Sequence, residues 1–109
     1  MKTKMMSLTI AFLVAGISLF AQELKTEKFK VYGICGMCEN RIEKAASGLD
    51  GVSKADWDKE TQMLEISFEN SKVKVDDVHK AVAKAGHDTE KVKAEDEVYN
   101  ALPACCLYR

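Results

Sequence analysis

The chain has 109 residues, 47% of them apolar and 30% charged, with a formal net charge of −1. That length holds one domain, since a single core usually takes about 100–200 residues. So balanced a charge excludes a broad basic footprint for nucleic acid and announces no partner by electrostatics alone.

Lys2 and Lys4 precede an uncharged apolar run from Met5 to Phe20, after which Ala21 and Gln22 open a polar region. This is the layout of a secretory signal peptide over residues 1–21, with cleavage after Ala21, although Leu19 is larger than the small residue preferred near a cut site. A retained membrane anchor is the alternative reading, because about twenty apolar residues can span a bilayer. Ser7, Thr9, Gly16 and Ser18 interrupt the run and favour cleavage, so the expected location is a bacterial periplasm, with no membrane attachment afterwards. Cys35, Cys38, Cys105 and Cys106 all fall in the mature part, where an oxidising compartment sets thiol chemistry against disulfide formation.

After a short segment at 22–27, Phe29, Val31 and Gly33 share one parity and predict a first strand over 28–33. Cys38, Ile42, Ala45, Ala46 and Leu49 then recur at three- and four-residue spacings, predicting a helix from about Met37 to Ser47 that closes at Gly48 and Gly51. Alternation places Ala55 and Trp57 on one face of a strand over 52–58, and Leu64, Ile66 and Phe68 on one face of another over 63–69. The polar stretch Asp58 to Gln62 joins them as a hairpin. Val75, Val78, Val82 and Ala85 mark a second helix, with Asp76 and Asp77 in its first turn and Gly86 at its end; a last short strand is expected at about 88–93.

The order β-α-β-β-α-β is that of a ferredoxin-like α+β sandwich, two helices covering one face of a four-stranded antiparallel sheet, over residues 28–94. Trp57, Phe29, Phe68 and Leu64 read as core, and His79 reads as a helix-surface residue. Residues 95–109 are too apolar for a solvated tail and should pack back on the domain through Tyr99, Leu102 and Tyr108.

The chemistry sits in Cys35-Gly36-Met37-Cys38, with Cys35 on the loop after the first strand and Cys38 in the first helical turn. A helix N-terminus lowers thiol pKa values and favours the thiolate that binds metal. No lysine lies between 31 and 43, so stabilisation rests on the helix end with Arg41 as a helper. Met37 is expected to fill space rather than ligate. Soft thiolates suit Cu(I), Hg(II) and Zn(II); two ligands favour the first two, whereas Zn(II) prefers about four.

The layout resembles the heavy-metal-associated domain family, which includes copper chaperones, soluble domains of copper-transporting ATPases and the periplasmic mercury-binding protein. The resemblance rests on the Cys-x-x-Cys after strand one, Ile42-Glu43 behind it, Leu49-Asp50-Gly51-Val52 closing the first helix and Ala85-Gly86 closing the second. The family usually writes Gly-Met-x-Cys-x-x-Cys, whereas Gly33-Ile34-Cys35-Gly36-Met37-Cys38 is one residue shorter before the first cysteine and lacks the usual buried methionine. The resemblance implies Cu(I) bound by Cys35 and Cys38 in near-linear geometry and passed by thiolate exchange to a metal-transporting ATPase or other efflux component. It implies a carrier and not an enzyme, with copper first because it is the family's commoner physiological cargo.

Two further features bear on that site. Adjacent cysteines bond to each other only with strain, so Cys105 and Cys106 should reach elsewhere: to the Cys35–Cys38 site as extra ligands, or into disulfides. A metal-bridged or disulfide-linked dimer follows from the same thiols. His87, in the loop after the second helix, occupies a place that in the family lies near the metal, and is a candidate auxiliary ligand against the plainer reading of a surface-loop histidine. A thiol-disulfide oxidoreductase is the rival reading of Cys-Gly-Met-Cys, but Pro103 is the only proline and the longer α/β pattern of that fold is missing. No paired carboxylates, glycine-rich phosphate loop or exposed strand aromatics with basic neighbours support an enzyme or an RNA-binding module.

Overall fold

A computed structural model of the chain describes residues 24–109, and the signal peptide expected over 1–21 lies outside them. Leu24–Lys30 forms β1, Gly36–Ser47 α1, Val52–Trp57 β2, Met63–Glu69 β3 and Val75–Lys84 α2, followed by a short helix α3 at Asp96–Asn100 and a 3-10 turn at Ala104–Cys106. Among the described residues none of the helices is long and apolar enough to cross a membrane.

The sheet is antiparallel in the order β1-β3-β2, with β3 central. Register sets Phe29 and Trp57 on either side of Leu64, so the three strands share one apolar row there. Ile66 and Phe68 extend it, and Cys38, Ile42 and Ala46 of α1 with Val78 and Val82 of α2 cover it. Full burial of each large apolar side chain stabilises the fold by about 1.5–3 kcal/mol, which is why the strand alternation and the helical stripes both point at this layer. Gly51, at φ 101°, makes the tight connection into β2 that an L side chain would strain.

Two expectations are corrected. The first strand begins at Leu24 and ends at Lys30, because pairing with β3 runs back to Leu24 opposite Glu69, while the chain after Val31 turns its carbonyls to side chains instead of a ladder. The fourth strand at 88–93 is reduced to a single bridge between Val31 and Thr89. Its backbone is used elsewhere: Thr89 N–H bonds to the Val92 carbonyl at 2.8 Å, the Thr89 hydroxyl accepts the N–H groups of Lys91 and Val92, and the Asp88 carboxylate accepts the Ala94 N–H at 2.7 Å. That turn leaves only the Asp88 carbonyl and the Glu90 N–H to pair with the β1 edge. The four-stranded sheet is therefore three strands and a bridge, with the ferredoxin-like order of elements kept.

His79 is also corrected, from helix surface to core. It is buried, stacks on Phe29 at 3.8 Å between ring centroids, and places Nδ1 2.6 Å from the Thr89 hydroxyl. That hydroxyl already accepts two backbone N–H groups, and its one proton has Nδ1 at 2.6 Å as a closer acceptor than the Val92 carbonyl at 3.4 Å.

Beyond residue 94 the chain folds back across one end of the sandwich. Tyr99 and Leu102 join the core, the Tyr108 ring meets Tyr99 edge-on at 5.0 Å, and Leu102 lies against Gly86. Gly86 has φ 109°, and a Cβ there would lie 2.8 Å from Leu102 Cδ2, so this glycine serves both the turn after α2 and the seat of the tail.

Candidate metal centre

Three consecutive carbonyls after β1 are held by side chains from three different places. Trp57 Nε1 donates to Val31 at 3.0 Å, His87 Nδ1 to Tyr32 at 2.8 Å, and Gln62 Nε2 to Gly33 at 2.6 Å. The loop that delivers Cys35 is thus fixed before any ion arrives, the kind of support a functional constellation needs. Sequence reasoning missed Gln62 and this role of His87; the only local hint at Gln62 is a left-handed φ of 62°, which a sequence does not display.

Cys35 is the N-cap of α1 in extended backbone, and Cys38 is buried one turn later. Their sulfurs lie 3.3 Å apart as free thiols. The tail brings Cys106 Sγ to 3.4 Å from Cys35 Sγ, fully buried, with Arg41 Nη1 donating to it at 3.3 Å. Cys105 stays exposed, 4.0 Å from Cys106 and 3.4 Å from the thioether of Met37. Met37 is therefore a half-exposed rim residue and not the filler expected of it. The sulfurs of Cys35, Cys105 and Cys106 all lie within 4.8 Å of one another.

The thiols are electrostatically unlike. Burial by itself would raise the Cys35 pKa, but the Cys38 backbone N–H and the thiols of Cys38, Cys106 and Cys105 outweigh it and bring the group down to about 6. Cys38 goes the other way, pushed up to about 12 by burial and next by the Cys106 thiol. Burial also raises Cys106, against the pull of Cys38 and Arg41. The arrangement is one accessible thiol at a helix start, shifted toward the thiolate by a backbone N–H and by neighbouring S–H groups.

His87 is buried, stacked on Tyr108 at 5.3 Å, and does not enter the sulfur group. Donation from Nδ1 leaves Nε2 as a lone pair with no hydrogen-bond partner among the described residues. Glu39, Glu43 and Asp56 also converge, but Glu43 is engaged by the Trp57 N–H at 2.9 Å.

Residues 28–88 match the heavy-metal-associated domain family over more than half of the chain. The chain belongs to that family. The copper chaperone CopZ of Staphylococcus aureus is 33% identical over 54 residues, 50% of this chain and 79% of CopZ. Oxidised MerP from Ralstonia metallidurans CH34 superposes with a TM-score of 0.59 at 34% identity, covering 62% of this chain and 94% of MerP. The N-terminal domain of a potential copper-translocating P-type ATPase from Bacillus subtilis, solved in its Cu(I)-loaded state, gives 0.58 at 26% identity, covering 69% and 95%. The three-stranded sheet with its residual bridge is thus this chain's version of the family's ferredoxin-like fold.

Proposed function

We propose that this heavy-metal-associated domain is an exported carrier of Cu(I), holding the ion on Cys35 and Cys38 and passing it to a cysteine pair on a metal-transporting ATPase or another efflux component. The observation that carries the reading is the pair of free thiols 3.3 Å apart at the start of α1, on a loop pinned at three carbonyls, in a chain of this family. Soft sulfur donors select a soft ion, and the likeness to CopZ and to the Cu(I)-loaded ATPase domain puts copper first; the likeness to MerP keeps Hg(II) as the alternative cargo. Transfer is an exchange: a partner thiolate adds to the ion before one of this chain departs, so the metal keeps its oxidation state. Ile34 and Met37, each about half exposed beside the thiols, offer the apolar rim such an encounter needs.

Anaerobic titration of the reduced mature protein with Cu(I), against a competing chelator, tests this. One equivalent bound tightly by wild type and lost in Cys35→Ser/Cys38→Ser is the expected result; binding unchanged in that double variant would overturn the assignment. Export is tested by fractionating cells that express the full chain, with mature protein expected outside the cytoplasm. The low Cys35 pKa also suits a thiol-disulfide oxidoreductase. Dithiol-dependent turnover of a disulfide substrate by protein that binds no metal tightly would establish that reading instead.

A further inference from the structure

We infer that Cys106 is a third metal ligand and that the folded-back tail is a thiolate-bearing lid on the Cys35–Cys38 site; the inference rests on the carrier reading above. Cys106 is fully buried, yet its sulfur packs on another sulfur and on a guanidinium, not on apolar surface alone. A buried thiolate is tolerated only with compensating charge, and Arg41 supplies it at 3.3 Å. The tail has its own latch, independent of any ion. Tyr108 donates to the Gly86 carbonyl and accepts the Asp88 N–H, both at 2.7 Å. Arg109 pairs with Asp88 at 2.8 Å and lies over the Tyr99 ring at 4.3 Å.

The sulfur spacings favour a closed site. With metal–sulfur bonds of about 2.3 Å, two sulfurs lie about 4.6 Å apart across a linear ion, about 4.0 Å in a trigonal site and about 3.8 Å in a tetrahedral one. The observed 3.3 and 3.4 Å about Cys35 lie nearer the trigonal and tetrahedral spacings than the linear one, and the exposure of Cys105, although it lies within 4.8 Å of Cys35 and Cys106, leaves three inner thiolates. The ligand class is a soft d¹⁰ cation, Cu(I) in trigonal sulfur coordination. Cys35 binds as the thiolate it already is, Cys38 and Cys106 each give a proton to solvent, and no electron moves. Cys105, exposed at the rim against Met37, is left as an outer thiol where an incoming partner's sulfur can compete.

X-ray absorption at the copper edge, on reduced mature protein loaded with one equivalent of Cu(I), counts the sulfurs directly. Three are expected in wild type and in Cys105→Ser, and two in Cys106→Ala, whose Cu(I) affinity should fall by about tenfold or more, the scale on which even outer-shell partners count. Tyr108→Phe, which keeps every thiol but loosens the latch, should speed Cu(I) release to the chelator. Two sulfurs in wild type, or a loss in Cys105→Ser with none in Cys106→Ala, would overturn the lid while leaving the two-thiolate carrier standing. Absence of tight binding in wild type would remove the carrier reading itself. The wild-type count depends on no variant, so a failure of Cys106→Ala to fold cannot mask the answer.

Discussion

Cys35 and Cys38 share a motif but not a chemical state. One is half-buried and held down toward the thiolate by the Cys38 N–H and neighbouring thiols, the other fully buried and held up as a thiol by that burial. Gln62 and His87 act at one remove, as positioning residues on the Gly33 and Tyr32 carbonyls. Replacing His87 with Ala removes a fully buried ring as well as its hydrogen bond to the Tyr32 carbonyl, and we expect a stability loss of about 1–3 kcal/mol in urea denaturation. Gln62→Ala should cost less, about 0.5–1.5 kcal/mol, because it removes a comparable part-buried hydrogen bond from a side chain that is itself only partly buried. If instead Gln62→Ala lowered stability as much as His87→Ala, burial of the His87 ring would contribute nothing.

Among the elements, the segment after α2 is the least conventional. Where a fourth strand was expected, the Thr89 hydroxyl and Asp88 carboxylate collect backbone N–H groups into a turn, and the tail takes the space at that end of the sandwich. Gly86 is the joint between the two. Gly86→Ala combines a positive φ with a 2.8 Å approach to Leu102, so it should destabilise the protein by about 1–3 kcal/mol and displace the tail. Increased reactivity of Cys106 toward an alkylating reagent, measured by mass spectrometry, would report that displacement. Unchanged Cys106 protection in a folded variant would contradict the seat assigned to Leu102.

For the whole molecule, stability should depend on pH through buried groups of the fold as well as through the site thiols. Burial holds the His79 pKa below 6.5, opposed only in part by the carboxylates of Glu90 and Asp76 and reinforced by Lys91. The unfolded chain therefore takes up its proton first as pH falls, and stability declines from about pH 6.5 downward through the folded value. Asp88 adds a second decline at lower pH: despite its burial, Arg109 and the Ala94 N–H hold it below 3.8, so its contribution is present above that value and lost beneath it. Urea midpoints at pH 7.5 and 5.5 should differ, and the difference should shrink in His79→Gln. An equal difference in that variant would place the acid sensitivity elsewhere.

Local patterns carried most of the architecture. Alternation over 63–69, the apolar stripes at Cys38, Ile42 and Ala46 and at Val78 and Val82, and the cysteine pair at the strand-to-helix turn were all legible in the residues, because period and turn chemistry are short-range properties. The burial of His79, the three pinned carbonyls and the meeting of Cys106 with Cys35 were not. Each depends on partners from 10 to 71 residues away, whose hydrogen bonds compete with the local preference and are decided only when the chain closes on itself. The motif names two sulfurs; packing of the tail brings a third beside them and seats it against Arg41 of α1.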